Sequence, residues 1–289
     1  MNENADNYDP QARWRDDTRT DDELFHAVLT EKDDDARGDA VFVLRWRGTR
    51  DIFDQAVSLC GSRKAAERWE GVNILGKFRD PGRELGNPYR AETVDLMLGL
   101  LGREKRITVL CVLLWALEEL DDDRAIAPII TFGQHPNKWV RRNAAVALGH
   151  FACRDEPAQR ALIELCRDHD RYVRDWATFE LSLYEPDELD LPEAHAVLWE
   201  RAAENDSEIR CEALRGLAFR GETGLTDLLI RELTSDEFYD DVLEAAECLA
   251  DPALLPYLLP LREWEQINEA CLDDAIAACG GESETKGAV

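Results

Sequence analysis

The sequence predicts an all-α protein in which about eight helical hairpins stack as a solenoid. The first observation is a skeleton of an arginine, a small residue three positions later and a leucine four positions after that, present in six copies along the 289 residues. Successive copies lie roughly 31 to 38 residues apart, a period typical of helical-hairpin repeats. The second observation is that helix-start signals, such as prolines and runs of aspartate, separate the copies.

The skeleton marks the second helix of each hairpin. Its spacing places the small residue and the leucine on one helical face, and the small residue lets a neighbouring helix approach closely. The copies are Arg37, Ala40 and Leu44; Arg68, Gly71 and Leu75; Arg106, Val109 and Leu113; Arg141, Ala144 and Leu148; Arg174, Ala177 and Leu181; and Arg210, Ala213 and Leu217. A seventh copy, with Val242, Ala245 and Leu249, has no arginine.

Most copies have an aspartate or asparagine four residues before the arginine position. These residues are Asp33, Asn137, Asp170 and Asp206. Each is expected to cap its helix and to hydrogen-bond the arginine of its own or the adjacent repeat. We therefore interpret the arginine column as a structural ladder between repeats and assign it no catalytic role.

The first helices of the hairpins are predicted between these copies. They are placed at about 21–30, 49–60, 88–102, 123–134, 156–168, 191–204, 223–234 and 252–264, and a last helix at 267–279 closes the array. Residues 1–20 are predicted to form a flexible or loosely docked N-terminal arm. Residues 21–279 form the solenoid, and residues 280–289 a flexible C-terminal tail.

Three gapless segments carry a family resemblance. The segments WVRRNAAVALG from Trp139, YVRDWATFELS from Tyr172 and EIRCEALRGLA from Glu208 resemble the HEAT-repeat family, in the short bacterial form also called phycobilisome-lyase-like repeats. This resemblance implies a right-handed α-solenoid of about eight HEAT-like helical hairpins. It does not select a function, because the family includes scaffolds, adaptors, immunity-type proteins, chromophore lyases and DNA glycosylases.

The composition restricts the partners. The net charge is −27, from 61 acidic and 34 basic residues, so the chain repels nucleic acid and anionic membranes and attracts basic proteins or peptides. The first residues, MNENADNYDPQARWRDD, contain no apolar signal core, and the eight cysteines lie mostly in apolar helical patterns. We therefore expect reduced thiols and a cytoplasmic location. The sequence shows no catalytic, metal-ligand or cofactor motif, so we expect no enzyme activity, metal or cofactor.

A second stripe on the repeat helices is the candidate binding surface. Counted from the skeleton arginine, positions −2, +2, +5 and +9 lie away from the core face and are expected on the concave surface. The stripe is aromatic in the middle repeats and acidic in the flanking ones, a pattern typical of a binding hot spot for a basic partner. The predicted binding residues are Trp139, Asn143, Tyr172, Asp175, Trp176, Phe179, Glu208 and Glu212. The pattern leaves open whether the rings are exposed or packed between adjacent second helices.

The sequence favours a non-enzymatic protein-binding scaffold or adaptor. An alternative is an enzyme similar to the HEAT-like alkylpurine DNA glycosylases, for which Trp139, Tyr172, Asp175 and Trp176 would act on DNA, and the acidity argues against it. An immunity-type protein that neutralises a basic toxin also fits the acidity. A chromophore lyase shares the repeat, but no residue here is specific to that chemistry.

Overall fold

The computed structural model describes residues 16–79, 86–183, 188–235, 239–264 and 267–281, which form helices without a β-strand. The predicted all-α fold is confirmed. The chain divides into two compact units, Met1–Ile129 (unit 1) and Ile130–Val289 (unit 2). No helix among the described residues is both long and apolar enough to cross a membrane.

Unit 1 consists of consecutive helical hairpins. Its helices are α1 (Asp21–Thr30), α2 (Asp34–Arg47), α3 (Arg50–Cys60), α4 (Ala65–Gly76), α5 (Arg90–Leu101) and α6 (Ile107–Glu119). Helices α1, α3 and α5 pack against α2, α4 and α6, respectively, and α2, α4 and α6 pack on one another in chain order. A 3-10 turn (Asp123–Ala125) then leads into α7 (Ile126–Phe132), within which the two units divide.

Unit 2 continues the same pattern. Its helices are α8 (Lys138–Ala152), α9 (Glu156–Leu165), α10 (Arg171–Ser182), α11 (Pro192–Arg201), α12 (Ser207–Phe219), α13 (Thr226–Leu233), α14 (Asp241–Leu249), α15 (Leu255–Leu258) and α16 (Glu269–Ala278). The second helices α8, α10, α12 and α14 pack in succession, followed by α16. The first helices α9, α11 and α13 pack behind α10, α12 and α14.

The skeleton residues form the core, as their spacing predicts. The small residues and leucines of the first six copies are buried. A Cβ atom on Gly71 would lie 2.7 Å from the Ala56 carbonyl oxygen, so only glycine allows α4 to approach α3 this closely. Leu249 of the seventh copy is half-buried, because α14 ends at this residue.

The predicted caps and the arginine ladder are present, with different ladder acceptors. Side chains of Asp33, Asn137, Asp170 and Asp206 accept hydrogen bonds from the first-turn amides of their helices. Three ladder arginines instead donate to acids in the loop that precedes the next second helix: Arg68 to Glu104, Arg141 to Asp168 and Arg174 to Glu204. Arg210 donates to Glu232 on α13. Arg106 is exposed and precedes α6, so the third copy departs from the pattern.

The largest difference between the predicted and the observed helices is at residues 252–264, which do not form one continuous α-helix. This segment is a 3-10 turn (Pro252–Leu254), the short α15 and a second 3-10 turn (Leu259–Glu263). Pro252, Pro256 and Pro260 lack amide donors, which prevents a continuous α-helix. Residues 1–15 of the predicted arm and 282–289 of the predicted tail lie outside the described residues.

Candidate functional site

An acidic pocket lies in unit 2, where α10, α12 and the start of α14 meet. Its volume is about 270 Å³, and its lining residues are Asp175, Trp176, Phe179, Glu208, Glu212, Tyr239 and Asp241. Four of these side chains are carboxylates and three are aromatic rings. The lining therefore combines negative charge with flat apolar walls, and the described lining residues include no cationic side chain.

Helix geometry brings these groups together. Asp175 and Trp176 both lie beside Phe179 on α10, because Phe179 follows them by four and three residues. Glu208 and Glu212 are one turn apart on the facing side of α12. Farther along α12, a Cβ atom on Gly216 would lie 2.8 Å from Ser182 Cα, so glycine permits the close approach of α12 to α10.

Two carboxylates of the pocket are buried. Glu212 is 6% exposed and Asp175 is 8% exposed, and neither Glu212 Oε2 nor Asp175 Oδ1 has a hydrogen-bond partner among the described residues. Burial, together with the neighbouring acids Asp175, Asp241 and Glu208, raises the pKa of Glu212 to about 9. Burial and the nearby Glu208 raise the pKa of Asp175 to about 6. The stripe pattern predicts Glu212 in an exposed acidic flank, but Glu212 is buried because α10 and α14 pack on both sides of α12.

Arginines surround the pocket and bind the outer acids. Arg171 donates to Asp206 and to Glu208, each at 2.6 Å, and its Nη2 lies 3.9 Å from Asp175 Oδ1. Arg215 forms an ion pair with Asp241 and donates to Ser182 Oγ at 2.6 Å. These contacts hold both arginines against the rim and leave the inner oxygens of Asp175 and Glu212 without a hydrogen bond.

One group of acids could hold a metal ion. Carboxylate oxygens of Asp175, Asp206 and Glu208 lie within 4.8 Å of one another. Oxygen ligands in such a group suit a hard divalent cation. Arg171 already binds Asp206 and Glu208, however, so a metal would have to displace a guanidinium group.

An exposed aromatic pair lies on α10 and the adjacent helix α8. Trp139 and Tyr172 are 46% and 45% exposed, and their rings stack with centroids 6.0 Å apart. Lys138 Nζ lies 5.3 Å and 5.0 Å from the two ring centroids. Rings that stack on each other while remaining open to solvent are typical of protein-binding surfaces.

The structure brings five of the eight predicted residues into the acidic pocket. Trp176 and Phe179 are half-buried in its wall, whereas Trp139 and Tyr172 form the exposed pair. The remaining residue, Asn143, donates its side-chain amide to the Trp139 carbonyl at 2.7 Å. Sequence reasoning missed Tyr239 and Asp241. Asp241 stands one residue before the skeleton position of the seventh copy, whereas Asp175 stands one residue after that of the fifth, so the repeat spacing did not indicate Asp241.

A second cavity lies in unit 1. Its volume is about 440 Å³, and its lining includes Lys77, Arg79 and Arg90 together with Glu119 and Asp121. The charges of the described lining residues are mixed, and the cavity adjoins residues 80–85, which are outside the described part of the chain. The acidic pocket is therefore the better-defined candidate site.

The stacked hairpins, the buried skeleton and the arginine ladder define an α-helical repeat protein. Residues 94–182 match the family model for HEAT repeats, so the resemblance predicted from the sequence is confirmed. The chain is 28% identical over 249 residues to Protein YibA of Escherichia coli (strain K12), which covers 82% of this chain and 83% of that protein.

Two solved structures superpose on this chain to different extents. The X-ray structure of YibA from E. coli superposes with a TM-score of 0.68 at 23% identity, covering 94% of this chain and 97% of that chain. The complex of CpcE and CpcF of phycocyanin lyase from Nostoc sp. PCC7120 gives a TM-score of 0.49 at 17% identity, covering 78% and 86% of the two chains. The first of these likenesses supports a HEAT-type helical repeat fold.

Proposed function

We propose that this protein is a non-catalytic binding protein that holds a basic protein or peptide against α8, α10 and α12 of unit 2. The acidic pocket carries the proposal, because four carboxylates and three aromatic rings converge there. Carboxylates and aromatic rings both attract a cationic side chain. The carboxylates would pair with the positive charge of such a side chain, and the rings would pack against it. Binding alone therefore accounts for the lining residues, without a catalytic step.

The long-range charge supports the same class of partner. At a net charge of −27, the chain accelerates the approach of basic proteins and opposes that of phosphate backbones. The exposed pair adds a second contact surface beside the pocket, because Tyr172 lies on α10, which also lines the pocket, and Trp139 lies on the adjacent α8. A peptide or protein face that reaches both would combine aromatic contact with charge complementarity.

Affinity capture with matched variants tests this function. We expect tagged wild-type protein to retain a basic protein from an extract of its own organism. The Trp176→Ala variant should lose it, because a hot-spot ring contributes about 2 kcal/mol, or about 30-fold in Kd. The control is Tyr257→Ala, which removes an exposed ring from α15 and should bind like the wild type.

The melting temperature of each variant separates binding from folding. We expect Trp176→Ala to remain folded at the capture temperature while its affinity falls. A large fall in melting temperature with affinity intact would return Trp176 to a structural role. Capture of acidic partners alone, or equal capture by all three proteins, would contradict the proposed function.

A further inference from the structure

We propose that the acidic pocket receives one guanidinium group, the side chain of an arginine on the basic partner, between Asp175 and Glu212. This inference rests on the proposed function, because the arginine belongs to the bound protein or peptide. The recognition chemistry is a property of the pocket itself, so it can be tested with a small probe in the absence of any partner.

Unsatisfied buried oxygens indicate that a ligand with hydrogen-bond donors fits here. Glu212 and Asp175 line the pocket from two helices, both residues are more than nine-tenths buried, and neither Glu212 Oε2 nor Asp175 Oδ1 has a hydrogen-bond partner among the described residues. Buried polar atoms without a partner are rare and destabilise a folded protein. A guanidinium group has five N–H donors in a fixed fork, which is enough to bind both oxygens at once.

The size and walls of the pocket favour a single planar cation. A volume of about 270 Å³ falls below the roughly 300–1,000 Å³ of pockets for drug-sized ligands, so one side chain is a suitable occupant. The wall rings already attract guanidinium groups of the chain itself. Arg142 lies 4.1 Å from the Trp176 ring centroid, and Arg215 lies 5.1 Å from that of Phe179.

The contacts of Arg171 favour a guanidinium over a metal ion. This residue shows that the acidic rim binds a guanidinium in place, through Asp206 and Glu208. A metal at Asp175, Asp206 and Glu208 would break those bonds. A guanidinium between Asp175 and Glu212 would use the two oxygens that have no hydrogen bond and would leave Arg171 where it is.

Binding a cation here should release a proton from Glu212. The groups that act on this carboxyl are acids on three helices (Asp175, Glu208 and Asp241), Arg215 on its own helix and the buried Cys166 thiol at the end of α9. Glu244 on α14 lies 3.6 Å from the Arg215 guanidinium. With a pKa of about 9, Glu212 is mostly protonated at pH 7, and a bound cation favours its ionised form. Affinity should therefore rise with pH up to about 9.

The test is an NMR titration of the full chain with N-acetyl-argininamide, which carries a guanidinium as its only charge. We expect saturable binding that shifts the Trp176 indole signal, with a Kd that falls about tenfold between pH 7 and pH 8. The uncharged isostere N-acetyl-citrullinamide should not bind. Glu212→Gln and Asp175→Asn should each weaken binding at least tenfold, and Glu212→Gln should remove most of the pH dependence. Glu164→Gln, at an exposed acid of α9, is the matched control.

The titration and the capture experiment together distinguish a failure of the guanidinium site from a failure of the proposed function. Absence of argininamide binding, equal binding of citrullinamide, or binding of Ca²⁺ that excludes argininamide would overturn the guanidinium site. If capture of a basic partner still depended on Trp176 in that case, the proposed function would stand. Argininamide binding without any basic partner in the capture experiment would support the pocket chemistry and contradict the proposed function.

Discussion

Glu70 in unit 1 and Glu212 in unit 2 occupy the same position of the repeat, two residues after the skeleton arginine, but their surroundings differ. In unit 1, Arg45 and Arg37 act on Glu70, and Arg37 Nε lies 3.5 Å from its Oε1. Arg45 also donates to the Asn73 carbonyl and lies 5.6 Å from the Trp115 ring centroid. The chain itself thus supplies a guanidinium among acids and an aromatic ring.

In unit 2 the corresponding cation comes from the helix of the acid itself, since Arg215 of α12 acts on Glu212, forms an ion pair with Asp241 and lies 5.1 Å from the Phe179 ring centroid. Arg45 stands eight residues after its skeleton arginine, and eight residues after Arg174 stands Ser182. Ser182 is buried and accepts a hydrogen bond from Arg215, and Glu212 Oε2 has no hydrogen bond among the described residues. The comparison shows that the acid at one repeat position can lie beside arginines of the preceding repeat, as Glu70 does, or beside an arginine of its own helix that pairs with another acid, as Glu212 does.

The largest expected effect comes from removing the internal cation of unit 1. Arg45→Met leaves the Asn73 carbonyl and side-chain oxygens without their donor and removes a positive charge beside Glu70. We expect the free energy of unfolding to fall by about 3 kcal/mol. Urea unfolding measures this change, with Arg103→Met at an exposed arginine as the control. Equal midpoints for the two variants would mean that Arg45 does not complete the site.

The opposite sign is expected in unit 2, where Glu212→Gln should stabilise the protein. Burial raises the folded pKa of Glu212 to about 9, from an ordinary value of 4.5, so the folded state holds a proton that the unfolded state loses. Stability from this group is fully present below pH 4.5 and is lost as the pH rises to 9. The variant should therefore gain at least about 1 kcal/mol over the wild type by pH 7.

Urea unfolding between pH 5 and pH 10 measures this difference. It should grow with pH up to about 9 and then stay constant. Glu164→Gln should show no such trend, because its carboxylate is largely exposed. Parallel curves for Glu212→Gln and the wild type would show that Glu212 is ionised at neutral pH, and the contrast with Glu70 would then need another cause.

The smallest effect is expected at the exposed ring of unit 2. Tyr172→Ala should change the free energy of unfolding by less than about 0.5 kcal/mol, because the side chain is 45% exposed. Trp115→Ala in unit 1 should cost about 2 kcal/mol, since Arg45 and Lys77 cover that ring. Melting temperatures of the two variants compare the rings directly. A larger loss for Tyr172→Ala would contradict its assignment as a binding surface.

Local periodicity was sufficient for most of the fold. The skeleton spacing predicted the second helices and the residues that they bury, and the residues four positions earlier predicted the caps, because both depend on neighbours within one or two helical turns. The run at 252–264 was predicted less well, since three prolines restrict it to short turns. For the site, sequence placed five pocket residues on the correct helices and identified their acidic and aromatic character.

Only the tertiary structure determined how those residues are buried and which side chains they contact. Glu70 and Glu212 have the same repeat position, so that position alone does not distinguish the acid beside two arginines of the preceding repeat from the acid whose Oε2 lacks a hydrogen bond. Tyr239 and Asp241 join the pocket because α14 docks on α12, and they stand roughly 30 residues from Glu212 in the chain. Sequence determines the helices through local spacing. Burial, pKa and pairing depend on which side chains the adjacent repeats present, and those contacts form only when the hairpins stack.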